Sequence, residues 1–309
     1  MAGRVPEVPT LAIEVVPKGE GLANHWLGGA IHTLEAGPSS QFAYACTIAT
    51  MAPHGGPSWH VHTREEEFFS IRRGTFRFEA AGADAVEVGP GGLVALPIGV
   101  PHRFRNLGDE PGEVVLWTAP GGNAQFFLDL SNPLSEEQDA TLPPDIDAMR
   151  EVGRSYGITM LDPDLADPAA EILPLANART AAATQAGQGE TLAIGDATAR
   201  VLATSDTTGR QCELFELTIP PGGRTPRVQH GRYTLGMVME DGGMVIKTDG
   251  GGIAAAADSL VRIPFGADYA LANPGDASVT LVALVSPGGW LEAWRTGDLA
   301  GYGIVERSG

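Results

Sequence analysis

Short segments that alternate between apolar and polar residues occupy much of the chain and predict β-strands. Several of them alternate with a period of two, as expected for a strand that buries one face. In the first half of the chain these segments lie at 41–50, 68–72, 74–79 and 114–117. Clusters of Gly, Pro and Asp separate them, at 82–84, 89–92 and 108–112. Many short strands at this spacing predict a β-sandwich or a β-barrel.

The alternation stops after the first β region and then resumes. Residues 143–152 have the pattern of a short helix, and residues 162–189 are rich in Pro, Ala and Asp with little β character. A second β region runs from about 191 to 285. We therefore predict an N-terminal metal-binding barrel at 1–160, a connecting segment at 161–190 and a degenerate C-terminal barrel at 191–309.

The second β region repeats the first. Four pairs of residues share one separation of 167 positions: Pro53 and Pro220, Pro97 and Pro264, Asn106 and Asn273, and Pro120 and Pro287. Four matches at a constant separation are not expected by chance, so we predict an internal duplication.

Composition narrows the function classes. The 309 residues carry a formal net charge of −18, which argues against nucleic acid or an anionic membrane surface as a partner. The chain shows no secretory leader pattern and no apolar stretch long enough to span a bilayer, so we predict a cytoplasmic protein. Two cysteines, Cys46 and Cys212, leave a single disulfide open but exclude a disulfide framework.

Candidate metal ligands occur in two separate segments. His60 and His62 are two residues apart in a predicted strand, so both imidazoles project from the same face. Glu67 follows after a short turn, and His102 opens the strand after a tight turn at 97–99. Glu65 and Glu66 are the alternatives to Glu67, and three neighbouring glutamates can also form a solvated turn.

These two segments resemble the paired motifs of the cupin family. The first reads His-x-His, four residues, Glu, six residues, Gly; the second reads Pro-x-Gly, two residues, His, three residues, Asn. The resemblance implies an all-β protein of two cupin barrels (double-stranded β-helix, or jelly-roll) joined by a short helical connection. It also implies that His60, His62, Glu67 and His102 hold one divalent transition metal per chain. Fe(II) is expected first, and Mn, Ni, Co, Cu or Zn remain open.

The second repeat has lost this pattern. The four ligand positions are occupied by Val228, His230, Leu235 and Tyr269. One imidazole cannot hold a metal ion alone, so we predict that the second barrel is metal-free.

Within the cupins, the chain resembles the bicupins related to quercetin 2,3-dioxygenase. The resemblance rests on the motif pair and on Pro120-Gly-Gly with the aromatic pair Phe126-Phe127 after it. It implies an oxidoreductase, a dioxygenase that acts on an aromatic or enolisable small molecule, with dioxygen as a further partner. Glu67 would then serve as ligand and as general base. Candidate pocket residues, which an ordinary barrel core would also contain, are Phe42, Tyr44, Trp59, Phe69 and Phe104.

Two other function classes remain open at this point. One is a metal-dependent lyase, isomerase or cyclase in which the metal acts as a Lewis acid, and the other is a non-catalytic binding protein for small molecules. Asn106 is expected to bond either a loop or a substrate. Because barrels of this type expose strand edges, we also expect a homodimer.

Overall fold

The computed structural model describes residues 12–134, 145–176 and 179–307. Strands dominate both halves of the chain. Those of the first half are β1 (Glu14–Val16), β2 (Leu22–Trp26), β3 (Gly29–Glu35), β4 (Ala45–Met51), β5 (His60–His62), β6 (Glu66–Arg73), β7 (Phe76–Ala80), β8 (Val86–Val88), β9 (Leu93–Leu96), β10 (His102–Asn106), β11 (Gly112–Ala119) and β12 (Ile158–Met160).

The second half repeats this sequence of strands. They are β13 (Ala182–Thr184), β14 (Thr191–Ile194), β15 (Ala197–Ala203), β16 (Glu213–Ile219), β17 (Val228–His230), β18 (Thr234–Asp241), β19 (Gly243–Thr248), β20 (Gly251–Ala256), β21 (Leu260–Ile263), β22 (Asp268–Ala272), β23 (Val279–Ser286) and β24 (Ile304–Glu306). Three short α-helices are described, α1 (Ala124–Leu130), α2 (Ile146–Ser155) and α3 (Trp290–Thr296).

The strands form two barrels, each made of a seven-stranded and a five-stranded sheet. In the first barrel the strand orders are β13-β9-β6-β11-β4-β3-β2 and β12-β5-β10-β7-β8. In the second they are β1-β21-β18-β23-β16-β15-β14 and β20-β19-β22-β17-β24. Each barrel encloses its own apolar core, which confirms the predicted all-β fold with two barrels.

One strand of each barrel comes from outside its own repeat. Strand β1, near the N-terminus, pairs with β21 of the second barrel, and β13 of the connection pairs with β9 of the first. Each of these strands has only 3 residues and forms the new edge of its sheet, and a short edge strand limits pairing with other chains. The boundaries predicted at 160 and 190 and the predicted homodimer remain predictions.

The predicted helix at 143–152 corresponds to α2. The Asp145 side chain accepts a hydrogen bond from the backbone N–H of Ala148 and caps the helix, so the helix begins one residue after this cap. Residues 143 and 144 lie outside the described part of the chain. None of the described helices has the length and apolarity needed to cross a membrane.

The two barrels join through a third apolar core. Tyr44 and Trp117 of the first barrel pack edge to face, with ring centroids 5.6 Å apart, against β18 of the second barrel. Polar pairs flank this core, including Arg72 with Glu240 at 2.6 Å.

Cys46 and Cys212 are both buried and free, so the disulfide left open by the sequence is not formed.

The close packing at this interface predicts the effect of one added methyl group. A Cβ at Gly236 would lie 2.5 Å from the Tyr44 ring and 2.8 Å from the Trp117 ring, both of which are buried and rigid. We expect Gly236→Ala to lower the free energy of unfolding by about 1–3 kcal/mol. Denaturant unfolding measures the change.

Gly231→Ala is the matched control, because a Cβ there meets no atom of the described residues within 4 Å. It should leave stability unchanged or raise it slightly, since alanine restricts the unfolded chain. Equal stability of the two variants would contradict the packing described at the interface.

Candidate metal centre

Four side chains from the two motif segments meet inside the first barrel. One ligand atom from each of His60, His62, Glu67 and His102 can be chosen so that all four lie within 4.8 Å of one another. All four residues are buried. The structure thus brings together the four residues that the sequence predicts as ligands, and their role as ligands stays a prediction.

The register of the strands places them. His60 in β5 lies directly opposite His102 in β10, and both belong to the five-stranded sheet. Glu67 lies on β6 in the seven-stranded sheet, opposite Leu96 and Thr118. The histidines therefore come from one wall of the barrel and the carboxylate from the other, which explains why two distant sequence segments are required.

Backbone carbonyl groups orient two of the imidazoles. His60 Nδ1 lies 2.9 Å from the carbonyl oxygen of Ser58, and His102 Nδ1 lies 2.9 Å from that of Val100. A carbonyl oxygen can only accept, so each Nδ1 carries the proton and donates it. The Nε2 lone pair of each neutral ring is then free to ligate a metal, an arrangement common in metal sites.

The Glu67 carboxylate faces the imidazoles. Its Oε2 atom lies 3.0 Å from His102 Nε2 and accepts a hydrogen bond from it only when the His102 ring is doubly protonated, because Nδ1 already holds one proton. Its Oε1 atom lies 3.8 Å from His62 Nε2. Burial alone would raise the pKa of Glu67, but the charge of His62 and the hydrogen bond from His102 outweigh it and lower the pKa to about 2. The carboxylate is therefore ionised at neutral pH.

The imidazoles differ in their affinity for protons. Burial, followed by repulsion from His102 and His62, lowers the pKa of His60 to about 3. For His62 burial acts in the same direction, but attraction to Glu67 prevails and the net result is a raised pKa.

The four donor groups fit a divalent transition metal. Three nitrogen donors and one ionised carboxylate, with no Cys among them, suit such an ion better than a structural zinc site.

Three consecutive glutamates are buried beside these histidines, so they do not form a solvated turn. Glu67 faces the imidazoles. Glu66 points to the other side of β6, where it pairs with Arg179 and accepts a hydrogen bond from the backbone N–H of Ile98 at 3.1 Å. Glu65 lies 3.6 Å from His62 on the side away from Glu67. The geometry favours Glu67 as the carboxylate ligand.

An apolar cavity of about 40 Å³ borders the donors. His60, His62 and Glu67 supply its polar wall. The other walls are mostly aromatic, aliphatic and thioether groups, among them Trp26, Met51, Phe126, Phe127, Met149 and Met160. No Lys or Arg lies among the described residues that line the cavity.

Of the five predicted pocket residues, only Phe104 lines this cavity. Phe69 packs against the Phe104 ring in the core, Tyr44 lies in the interface between the barrels, and Phe42 is 54% exposed. Trp59 is buried under the guanidinium of Arg103. These four side chains thus lie outside the wall of this cavity, because strand alternation identifies buried faces without distinguishing the cavity from the rest of the core. Contact of the five residues with a substrate stays a prediction.

The cavity residues that the sequence reasoning missed come from outside the two motifs. Trp26 lies on β2, and Met149 and Met160 lie on α2 and β12. Only Phe126 and Phe127 carried a signal, as the aromatic pair after Pro120-Gly-Gly.

Asn106 has a structural role. Its Nδ2 atom donates to the carbonyl oxygens of Ala52 and Glu110, and its Oδ1 atom accepts from the N–H of Gly108. Asn273 makes the corresponding bonds in the second barrel. The loop alternative is therefore the one that the structure supports.

In the second barrel, Val228 lies opposite Tyr269 just as His60 lies opposite His102. The sequence alignment of the two repeats is thus correct at these positions. His230 is fully buried, and burial lowers its pKa to about 4.

Two aromatic side chains fill the interior of the second barrel. Phe215 and Trp290 stack with ring centroids 5.1 Å apart. Thr47 and Asn123 occupy the corresponding positions of the first barrel.

Fold and site together define a double-barrelled protein with a candidate metal centre in one barrel. Residues 47–118 match the family model described as the cupin domain, and no curated protein sequence matches the chain. The first barrel thus matches the cupin domain over residues 47–118, and the second barrel has the same arrangement of strands.

The fold resembles solved oxalate decarboxylases. For the enzyme from Bacillus subtilis the TM-score is 0.63 at 15% identity, and the match covers 98% of this chain and 90% of that one. For the enzyme from Lactobacillus farciminis, in a formate complex, the TM-score is 0.61 at 14% identity, with 97% and 90% covered. Another structure of the Bacillus subtilis enzyme concerns its Mn(II) centres. Identity this low shows a shared fold and no more.

One substitution tests the candidate ligands. His62→Ala should abolish metal binding while the protein stays folded, because the barrel cores do not depend on this side chain. Metal content per chain by elemental analysis and far-UV circular dichroism provide the two measurements. His230→Ala is the control and should leave metal content unchanged. Unfolding of the His62 variant would instead assign the metal a structural role.

The raised pKa of His62 predicts a pH dependence. The metal competes with a proton on this ring, so metal affinity should be highest above the raised pKa of His62 and fall as the pH decreases through it. His60, with its pKa of about 3, should contribute only in strong acid. Calorimetric titrations in buffers of different ionisation enthalpy measure the released proton. An affinity that is constant from mildly alkaline to mildly acid pH would contradict the prediction.

Proposed function

We propose that this double-barrelled protein is a metal-dependent dioxygenase that acts on a neutral, apolar and enolisable small molecule at a single His₃Glu site. The observation that carries the proposal is the apolar cavity whose wall includes three of the four donor residues, His60, His62 and Glu67. An ordinary binding protein would not need buried imidazoles and an ionised carboxylate on the wall of an otherwise apolar cavity, because their burial is unfavourable without a partner.

The residues of the site would have separate roles in the proposed reaction. When bound, a divalent metal supplies Lewis acidity and open coordination positions for substrate and dioxygen. Glu67 lies in the cavity wall, where its carboxylate can accept the proton of a substrate hydroxyl. The aromatic and methionine side chains exclude water, which strengthens the electrostatic interactions in the site.

The lining argues against a small dicarboxylate as substrate. Oxalate is a dianion, and a divalent metal held by the Glu67 carboxylate would compensate only one of its two negative charges. No Lys or Arg is present among the described residues that line the cavity to compensate the other. An uncharged substrate with one acidic hydroxyl group needs no such partner. The proposal therefore follows the chemistry of the cavity and not the activity of the proteins with a similar fold.

Size places a further requirement on the substrate. A dry cavity of about 150 Å³ is known to accept benzene, and the cavity beside His60 measures about 40 Å³. A molecule as large as a flavonol enters only if lining side chains move. Met51, Met149 and Met160 are suited to this, because methionine adapts its shape at small cost.

The second candidate is a lyase, isomerase or cyclase that needs no oxidant. It is favoured by the similarity in fold to oxalate decarboxylases, and the same donors and the same carboxylate would serve it. The two candidates differ in whether dioxygen is consumed.

Oxygen consumption distinguishes them. The protein is reconstituted separately with Fe(II), Mn(II), Ni(II), Co(II) and Cu(II), and oxygen uptake is recorded with a small enolisable aromatic substrate, with quercetin and with oxalate. We expect metal-dependent uptake with an uncharged substrate and none with oxalate. Glu67→Gln should abolish uptake, and the reconstituted His230→Ala protein is the control with an intact first barrel.

Substrate conversion under strict exclusion of oxygen would support the second candidate. Formate production from oxalate would contradict the argument from the uncharged lining. Failure to bind any of the five metals would refute both candidates.

A further inference from the structure

One buried carboxylate beside the candidate metal centre has no role in the function proposed above. Glu65 is only 5% exposed, and its Oε2 atom is buried without a hydrogen-bond partner among the described residues. That atom lies 3.6 Å from His62 Nδ1. His62 Nδ1 is likewise buried and has no hydrogen-bond partner within the described part of the chain.

The three histidines differ in the group that their Nδ1 atom faces. His60 and His102 each hold the Nδ1 proton on a backbone carbonyl group two residues before them. The Nδ1 atom of His62 faces the Glu65 carboxylate instead. A donor and an acceptor that are both unpaired and buried are destabilising unless they pair with each other.

We infer that Glu65 is a positioning residue for the metal centre, which holds the Nδ1 proton of His62 and thereby directs the Nε2 lone pair toward the metal. The inference rests on the metal site of the proposed function. The separation of 3.6 Å exceeds a hydrogen bond, and a shift of roughly 0.5 Å brings the two atoms into range.

A carboxylate in this position affects the imidazole of His62 more strongly than a carbonyl oxygen would. Its negative charge stabilises partial positive charge on the ring, so His62 becomes a stronger donor than the two histidines held by carbonyl groups. His62 would then bind the metal most tightly of the three. Partners of this kind change metal affinity by roughly 10–100-fold when they are removed.

The neighbouring Glu66 provides a matched control. It is also buried and lies next to Glu65 in the sequence, but it bonds Arg179 and the backbone of Ile98 on the opposite side of the strand. Glu65→Gln and Glu66→Gln therefore remove the same charge at adjacent positions. Only the first removes the acceptor of His62.

The experiment measures Co(II) binding to the full chain. Apoprotein is prepared by chelation, and Co(II) affinity is determined by competition with a chromophoric chelator for the wild type and both variants. We expect Glu65→Gln to weaken binding by roughly 10–100-fold and to shift the visible d–d absorption of bound Co(II). Glu66→Gln should lower the melting temperature of the apoprotein while leaving the affinity and the spectrum of the bound ion unchanged.

The outcomes separate this inference from the proposed function. Absence of Co(II) binding by the wild type would refute the metal site itself. Tight wild-type binding with an unchanged affinity and spectrum in Glu65→Gln would overturn the role of Glu65 alone. An equal loss of Co(II) affinity in both variants would also overturn it, because the loss would then follow from the removed charge and not from the contact with His62.

A measurement on the wild type covers the case in which Glu65→Gln does not fold. Long-range ¹H–¹⁵N correlation spectra of the Zn(II)-loaded protein report which ring nitrogen of His62 carries the proton. We expect the proton on Nδ1. A proton on Nε2 would mean that Glu65 does not set the orientation of the ring.

Discussion

The first barrel depends on burying ionisable side chains so that they compensate one another. Isolated charges inside a barrel of apolar residues would be strongly destabilising, and such groups persist only when they are paired or bind a metal. Here the Glu67 carboxylate is balanced by the histidines around it, and its pKa of about 2 reflects that balance. Glu66 achieves the same balance through Arg179 on the other side of the strand. The pairing of the strands brings these groups within reach of one another.

The second barrel shows what the same fold does without this requirement. Its ligand positions are occupied mainly by apolar or uncharged groups, and Phe215 and Trp290 fill the interior by stacking. A barrel interior without a buried carboxylate at its ligand positions can pack with apolar side chains, which contributes to stability through the area removed from water. The duplicated chain thus has the cluster of candidate ligands in one barrel and a more apolar interior in the other.

The interface and the connecting segment hold the two barrels together. Tyr44, Trp117 and the close approach at Gly236 fix the barrels to each other, and the connecting segment reaches back to the first barrel through Arg179 and β13. The residue that neutralises Glu66 therefore comes from outside the barrel that contains Glu66. A site buried in one barrel is supported by the segment that leads to the other.

The sequence by itself determined the fold class, the duplication and the four candidate donors. These depend on local features: strand alternation, the turns at glycine and proline, and fixed spacing within each motif. It also identified the lost ligand positions in the second repeat, because equivalent residues lie 167 or 168 positions apart.

Only the tertiary structure decided which residues line the cavity, which of the three glutamates faces the histidines and what covers each sheet edge. Trp26, Met149 and Met160 lie far from the motifs along the chain, and their approach to His60 depends on how helices and strands pack across the barrel. Alternation along a strand tells which side chains are buried, but not against what they are buried. The partners of Glu65 and Glu66 likewise follow from long-range packing, which no local pattern records.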